Sequence, residues 1–173
     1  MTPVDDNPQI EVLHAEEAAH IGAVRALFVE YAGTLNTDLC LQNFDDELAG
    51  LPGHYAPPGG ALLLALVDGE PAGCVAMCPL PEADHTNACE MKRLYVRRAF
   101  RRLGLGRLLT QQLMDLATQS GHSCMLLDTL DDMELARGLY ASLGFEEIPP
   151  YYFNPNPGAH YLKVELDAPG TRW

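Results

Sequence analysis

The stretch EMKRLYVRRAFRRLGLGR, residues 90–107, runs from an apolar strand through a basic loop into the start of an amphipathic helix. Gly104 and Gly106 allow the backbone to turn tightly and to come close to a ligand. Several amide N–H groups then point out of the helix start, with the positive end of the helix dipole behind them. A diphosphate is the natural occupant, although a helix start with solvated arginines explains the two glycines equally well. The residues expected to add charge around this loop are Arg97, Arg98, Arg101, Arg102 and Arg107.

Charge is distributed very unevenly along the chain. Residues 1–86 hold 14 acids and one base, whereas residues 87–173 hold 10 of each, so the first part carries the whole net charge of −13. Residues 92–107 contain seven cations and no acid. Such a basic strip could hold a polyanion. Because the rest of the chain would repel a nucleic-acid backbone, we expect no nucleic-acid binding and favour a compact polyphosphate.

Length and composition restrict the class of protein. The chain has 173 residues, 47% apolar and 20% charged, which suits one globular domain. Its longest apolar run, residues 61–67, is too short to cross a bilayer, so no membrane segment is expected. The acidic N-terminus is unlike an export signal, so we expect a cytoplasmic protein with reduced cysteines. Cys74 and Cys78 have the spacing of half a metal site, but no second pair follows, so no metal is expected.

Hydrophobic periodicity predicts a single domain over residues 9–167, with flexible ends at residues 1–8 and 168–173. The predicted order is β-α-α-β-β-β-α-β-α-β-β. This order indicates an α/β fold with a mixed central sheet of about seven strands and helices on both faces. The helix between the fourth and fifth strands requires those two strands to be parallel.

Individual residues set several of the predicted boundaries. Asp68-Gly69 between two apolar runs predicts a hairpin turn. Thr37 is the predicted N-cap of the second helix, which ends by Pro52. The predicted strands are residues 9–13, 61–67, 71–78, 88–96, 123–130, 145–148 and 160–166, and the predicted helices are residues 15–35, 37–51, 105–120 and 133–143.

Two segments together resemble the GNAT superfamily of N-acetyltransferases. The sequence RRLGLG at residues 101–106, after its strand, resembles that family's Arg/Gln-x-x-Gly-x-Gly loop for the pyrophosphate of acetyl-CoA. The sequence ARGLYASLGF at residues 136–145 resembles its Ala-x-x-Leu-Tyr-x-x-x-Gly-Phe segment, at the expected distance. The predicted element order is also the family's own. One departure is Met133, where many members carry an Asn that usually contacts the cofactor.

The resemblance implies an enzyme that moves an acetyl group from acetyl-CoA to a primary amine of a small molecule or peptide, by direct transfer in a ternary complex. It implies that the fourth and fifth strands splay apart around the pantetheine arm, and that a backbone N–H of residues 94–96 polarises the thioester oxygen. A homodimer also fits the resemblance. The alternative is a non-catalytic domain that binds acyl-CoA as a sensor or interaction module. The implied cofactor-binding residues are Leu94, Tyr95, Val96, Arg101, Arg102, Leu103, Gly104, Leu105, Gly106 and Arg107.

By the same resemblance, two residues are candidates for proton transfer. Glu90 stands where several members carry a carboxylate that deprotonates the amine directly or through water. It could instead be an ion-pair partner of Lys92, on the same strand face. Tyr140 matches the Tyr of the second segment, whose hydroxyl faces the cofactor sulfur and can protonate the leaving thiolate. It could instead be a packing residue of its helix.

The acceptor site carries no recognisable signature. In the family it is shaped by the first two helices and the loop that follows, which are rich in acids here. These acids could attract a cationic amine or form a solvated helix face. The proline-rich loop of residues 149–158 could wall the acceptor pocket, mediate a dimer contact or pack as an ordinary hairpin. The acids are Asp38, Asp45, Asp46 and Glu47, and the aromatic residues of the loop are Tyr151, Tyr152 and Phe153.

Overall fold

The computed structural model describes residues 7–35, 43–81, 84–130, 133–152 and 158–166. These residues form one seven-stranded mixed sheet in the order β1-β2-β3-β4-β5-β7-β6, with helices on both faces. The predicted fold class and element order are therefore confirmed. The strands are β1 Ile10–His14, β2 Ala61–Val67, β3 Glu70–Pro79, β4 Ala88–Val96, β5 Cys124–Leu130, β6 Glu146–Ile148 and β7 Ala159–Glu165, and the helices are α1 Ala18–Thr34, α2 Phe44–Gly50, α3 Leu105–Gln119 and α4 Glu134–Ser142.

The sequence predicted the turn between β2 and β3 correctly but not the start of α2. Asp68 and Gly69 have φ angles of 49° and 81°, the two positive values that a tight hairpin turn between β2 and β3 requires. The second helix, in contrast, begins only at Phe44, because Asn43 is left-handed with φ 57°. A single helix starting at Thr37 is therefore wrong, and Thr37 itself lies outside the described residues.

Separate apolar cores hold the helices to the two faces of the sheet. On one face α3 buries Leu109 and Leu113 against β2, β3 and β4. On the other face α1 buries Leu27 and Phe28 beside α2. Full burial of one such side chain contributes about 1.5–3 kcal/mol to the free energy of unfolding. The contacts of Leu109 and Leu113 therefore hold α3 against the sheet beside β4. Among the described residues, no helix is long and apolar enough to cross a membrane.

The sheet opens between β4 and β5. These strands run parallel but pair over only three residues of each, ending at Glu90 opposite Leu126. Beyond that point β4 continues to Val96 and β5 to Leu130 without pairing to each other. We call this opening the splay. It leaves backbone groups of both strands available at their carboxyl ends, as the family resemblance implied.

A β-bulge lies in β4 beside the splay. Cys74 of β3 pairs with Tyr95, but Ala76, two residues along β3, pairs with Lys92, so β4 holds one extra residue. Arg93, within the bulge, has a φ of 62°. That left-handed conformation costs an L-residue about 1–2 kcal/mol, so neighbouring contacts must hold it. The extra residue also reverses the side-chain alternation of the rest of the strand.

Candidate active site

A cleft of about 1370 Å³ lies beside the splay, bordered by α1, the end of β4, the loop that follows it, and the first turns of α3 and α4. Nine of the ten residues implied for cofactor binding line it; Leu103, which is 39% exposed, does not. The cleft is also lined by residues at the end of α1 and the start of α4 that were not among those ten. These are Tyr31, Thr34, Leu35, Glu134, Leu135, Ala136 and Leu139, together with Met133 just before α4.

The loop before α3 fits an anionic ligand. Gly104, the N-cap of α3, has a φ of 77°, a conformation that only glycine adopts without strain. As a glycine, this N-cap offers no capping side chain, and a backbone bond runs from Leu108 N–H to the Gly104 carbonyl at 3.0 Å. The N–H groups of the first turn therefore have no intrahelical acceptor. They lie in the cleft wall with the positive end of the helix dipole, as a diphosphate site requires.

The basic strip of residues 92–107 divides into two groups. Four cations line the cleft, whereas three are paired with acids of the protein. Arg97 belongs to the second group, because its guanidinium donates to Glu30 and to the Pro71 carbonyl, both at 2.9 Å. The expectation that Arg97 adds charge around the loop is therefore wrong. The cleft group is Arg98, Arg101, Arg102 and Arg107, and the ion pairs are Lys92–Glu90 at 3.7 Å, Arg93–Glu47 at 3.0 Å and Arg97–Glu30 at 2.9 Å.

Glu90, the candidate base, is the last β4 residue paired with β5 and is only 6% exposed. Its Oε2 accepts a 2.7 Å hydrogen bond from the Tyr151 hydroxyl, and its Oε1 lies 3.7 Å from Lys92 Nζ. The hydrogen bond to Tyr151 is therefore much shorter than the ion pair expected from the sequence. Burial, followed by the Glu90 carboxylate, raises the pKa of Tyr151, so this phenol stays protonated and donates.

Three tyrosine rings, which we call the tyrosine cluster, pack around this hydrogen bond. Tyr151, Tyr152 and Tyr161 have mutual ring-centroid distances of 5.2–5.4 Å, each pair edge to face. The Tyr161 hydroxyl donates to the Tyr152 carbonyl at 3.1 Å. Burial, followed by Asp128, raises the pKa of Tyr152, which hydrogen-bonds to that carboxylate. The described start of the 149–158 loop thus lies against two carboxylates at the splay, and Phe153 falls outside the described residues.

Tyr140, the candidate acid, lies on α4 and is 6% exposed. Its ring packs on Phe145 at 5.5 Å between centroids. Burial raises its pKa, with smaller contributions from Tyr31 and Asp128, so its phenol remains a proton donor at any ordinary pH. Tyr140 belongs to the core on the α3 side, whereas strand alternation places Glu90 on the opposite face. The two candidates therefore flank the sheet from its two faces.

The acids of α2 do not form one surface. Glu47 accepts hydrogen bonds from the Arg93 guanidinium at 3.0 and 3.2 Å and from the Tyr55 hydroxyl at 2.8 Å. Arg93 also lies 5.4 Å above the Phe44 ring. Glu47 is therefore the partner that holds the bulge residue, rather than part of a solvated face or an attractor for an amine. Asp45 and Asp46 are exposed, and Asp38 lies outside the described residues.

The cysteines of the described residues are free thiols. Burial raises the pKa of Cys78 to about 11 and that of Cys89 to about 12, so both remain protonated at neutral pH. Within the described part of the chain, no three His, Cys, Asp or Glu side chains are grouped so that they could hold a metal ion.

Comparison with known sequences agrees with this geometry. The model of the acetyltransferase (GNAT) family matches residues 21–145. An uncharacterized N-acetyltransferase of Schizosaccharomyces pombe is 43% identical over 143 residues, covering 82% of this chain and 86% of that protein. Another uncharacterized N-acetyltransferase, from Dictyostelium discoideum, is 30% identical and covers 91% of this chain and 99% of its own length.

Solved structures share the fold. An acetyltransferase of the GNAT family from Staphylococcus aureus has a TM-score of 0.75 at 17% identity, covering 92% of this chain and 100% of that one. A Salmonella typhimurium protein, solved with its cofactor acetyl-CoA, has a TM-score of 0.65 at 19% identity, covering 91% and 94%. Three findings point to the same family: the family model that matches most of the chain, the identity to the fungal relative and the shared fold. This chain therefore belongs to the GNAT family of acetyltransferases.

Proposed function

We propose that this chain, as a GNAT acetyltransferase with an acetyl-CoA donor, acetylates a primary amine of a small molecule or peptide by direct transfer in a ternary complex. The observation that carries the proposal is the cleft, which brings the glycine loop, the first turn of α3 and the unpaired end of β4 into one wall. An anion site and exposed strand backbone, side by side, are what a phosphate-bearing cofactor with an amide-rich arm requires.

The donor side uses mainly backbone groups. The N–H groups at the start of α3, with Arg101 and Arg102 beside them, would hold the diphosphate. The unpaired backbone of residues 94–96 would pair with the pantetheine arm, and one of its N–H groups would polarise the acetyl carbonyl. Acetyl-CoA, when bound, supplies the activated acetyl thioester. Met133 has a thioether where many family members carry the side-chain amide of an Asn. We therefore assign no polar contact with the cofactor to this position.

The acceptor side uses side chains for proton transfer. Glu90 would accept the proton of the amine, directly or through water, and Tyr140 would return a proton to the sulfur. Holding both substrates in line can lower the barrier by about 7–11 kcal/mol, and general acid–base catalysis adds a factor of about 10²–10⁴. No covalent intermediate on the protein is part of this proposal.

Ligand-dependent unfolding tests the donor half of the proposal. The melting temperature is measured with CoA, acetyl-CoA, NAD or ATP present at equal concentration. We expect selective stabilisation by the first two, because a ligand at 100 times its Kd adds about 2.7 kcal/mol to the free energy of unfolding. Gly104→Val is the matched variant, since its left-handed φ disfavours a branched side chain. Equal stabilisation by all four ligands, or none, contradicts the proposal.

Release of CoA tests the transfer itself. A thiol reagent follows free CoA while the protein and acetyl-CoA meet polyamines, amino acids, aminoglycosides and short peptides in turn. Amine-dependent release, with the acetylated amine identified by mass spectrometry, supports an N-acetyltransferase. Binding of acetyl-CoA without release by any amine favours the alternative, a sensor or interaction module.

Three further parts of the proposal are tested separately. EDTA is expected to leave the transfer rate unchanged, because the proposed chemistry uses no metal. Sedimentation is expected to show a homodimer. Duplex DNA is expected not to bind, because the strip of residues 92–107 is partly neutralised by the ion pairs of Lys92, Arg93 and Arg97.

A further inference from the structure

The hydrogen bond between Tyr151 and Glu90 joins two parts of the chain that lie 61 residues apart. It measures 2.7 Å, and the Glu90 side chain is only 8% exposed. A phenol that donates to a buried carboxylate at this distance makes a charge-assisted hydrogen bond, roughly twice as strong as a neutral one. Tyr151 is therefore the strongest polar contact described for the candidate base, and the mechanism above gives it no part.

The tyrosine cluster fixes where the Tyr151 hydroxyl lies. The ring of Tyr151 meets Tyr152 and Tyr161 edge to face, and it packs against the apolar group around Leu126 and Ile148. Tyr161, on β7, also holds the chain at Tyr152 through its hydroxyl. Because ring contacts and a backbone hydrogen bond constrain it from several sides, Tyr151 presents its hydroxyl to Glu90 without further ordering.

Polar and titratable groups surround Glu90 on several elements of the fold. They are Lys92 on its own strand, the Cys78 thiol on β3, Asp128 on β5 together with Tyr152, and Tyr151 itself. The Cys78 thiol stays neutral, because burial raises its pKa to about 11. Burial and Glu90 raise the pKa of Tyr151, so it donates throughout the assay range. In general, a donated hydrogen bond favours the ionised form of a carboxyl group.

We propose that Tyr151 is a positioning residue for Glu90: its hydroxyl fixes Oε2 and so sets the direction in which the carboxylate faces the acceptor amine. This inference rests on the proposed function, in which Glu90 accepts the proton of the amine. Tyr151 acts only through Glu90 and touches no reacting atom. Removing its hydroxyl therefore changes the pH at which Glu90 works, while the donor side of the cleft is left intact.

Kinetics of Tyr151→Phe test the role in transfer. With each panel amine that releases CoA, we expect about a tenfold lower rate near pH 6.5, the size of a lost charge-assisted hydrogen bond. The acid limb of the profile moves to higher pH, and the KM for acetyl-CoA stays unchanged. Glu90→Gln and the double variant should have equal rates, because Tyr151 has nothing to position once the carboxylate is gone. Equal profiles for wild type and Tyr151→Phe, or a further loss in the double variant, would overturn the proposal.

Tyr55→Phe is the matched control. It removes a tyrosine–carboxylate hydrogen bond of similar length, 2.8 Å to Glu47, that does not involve Glu90. We expect it to lower stability without moving the acid limb. A shift of the same size in this control would mean that any buried tyrosine hydroxyl has the effect, which contradicts a specific role for Tyr151.

A carboxyl titration by ¹³C NMR separates this inference from the proposed function, since it needs no acceptor. The Glu90 signal is assigned by its loss in Glu90→Gln and followed with pH in wild type and Tyr151→Phe. We expect the midpoint to rise by about half a pH unit or more in the variant. An unchanged midpoint overturns the inference. If the midpoint rises but no amine causes release of CoA, the coupling between Tyr151 and Glu90 stands and the proposed function is overturned instead.

If Tyr151→Phe fails to fold, 3-fluorotyrosine incorporation in the wild-type chain replaces it. An unchanged Glu90 midpoint in that protein also overturns the inference.

Discussion

The proposed donor side and the proposed acceptor side are built in opposite ways. The proposed donor side is one continuous segment, residues 94–107, and it offers backbone N–H groups, a left-handed glycine and exposed arginines. The proposed acceptor side depends on distant residues: Tyr151 reaches Glu90 across 61 positions, and the bulge farther along the same strand is held by Arg93 and Glu47, 46 positions apart. A local segment can share its function among several weak contacts, whereas a buried long-range pair concentrates its contribution in a few hydrogen bonds.

This contrast predicts how the two sides respond to substitution. Loss of one exposed cation from the donor side leaves its neighbours and the helix start in place. Loss of one member of a buried pair leaves the other desolvated and without that hydrogen bond, which costs far more than the bond itself contributes. Single substitutions should therefore have larger effects on the acceptor side than on the donor side.

The largest effect is expected from Glu90→Gln. Transfer at neutral pH should fall by about 10²–10⁴-fold, the usual contribution of a general base, while the Kd for CoA changes by less than about twofold. Rates of CoA release between pH 6 and 9, with calorimetry of CoA binding, check both parts. Glu165→Gln is the control, because Glu165 is an exposed carboxylate on β7. A profile for Glu90→Gln that matches wild type across this range would leave Glu90 only a structural role.

The next largest effect is expected on stability, from Glu47→Ala. Arg93, with 5% of its side chain exposed, would keep its charge in the protein but lose the Glu47 carboxylate, at a cost of about 3–5 kcal/mol in the free energy of unfolding. Glu30→Ala breaks the Arg97 pair instead, where both side chains are about one-third exposed, and should cost less than about 1 kcal/mol. Urea denaturation measures both variants. Equal losses would mean that the bulge residue does not depend on α2.

A smaller effect on rate is expected from Tyr140→Phe. Transfer should fall by about tenfold to a hundredfold if this phenol protonates the sulfur. Because burial raises the pKa of Tyr140 far above the assay range, the acid is fully protonated throughout, and the loss should be the same at pH 7 and pH 9. CoA release at both pH values provides the measurement. An unreduced rate would leave Tyr140 as a packing partner of Phe145.

The sequence predicted those features that local interactions decide. Residues within a few positions of each other determine three such features. These are the Asp68-Gly69 turn, the strand before the glycine loop and the start of α3. The start of α2 is not such a feature, because Thr37 is a good N-cap by type, yet the left-handed Asn43 is the N-cap of a helix that begins at Phe44. Propensity alone cannot weigh two competing helix starts when tertiary packing selects one.

The partners of the candidate site residues could not be predicted for a different reason. Lys92 was the obvious partner for Glu90, since strand alternation puts them on one face, yet the shorter contact comes from Tyr151. That contact depends on how the segment after β6 folds back over the splay, and no periodicity carries this information. The ion pair of Arg97 with Glu30 was missed for the same reason.

The smallest effect is expected on the donor side, from Arg101→Ala. Arg101 is an exposed residue of the cleft wall, so removing its charge should raise the Kd for CoA by about fivefold, the value of one exposed ion contact. Arg97→Ala removes an equal charge four residues away, but its guanidinium is held by Glu30 and the Pro71 carbonyl, so the Kd should change by less than about twofold. Calorimetry at low and high salt measures both. The two variants could instead lose affinity equally and lose the salt dependence of binding equally. The cofactor would then be held by the summed field of the basic strip rather than by contact at the loop, and the donor side would be less local than its sequence suggests.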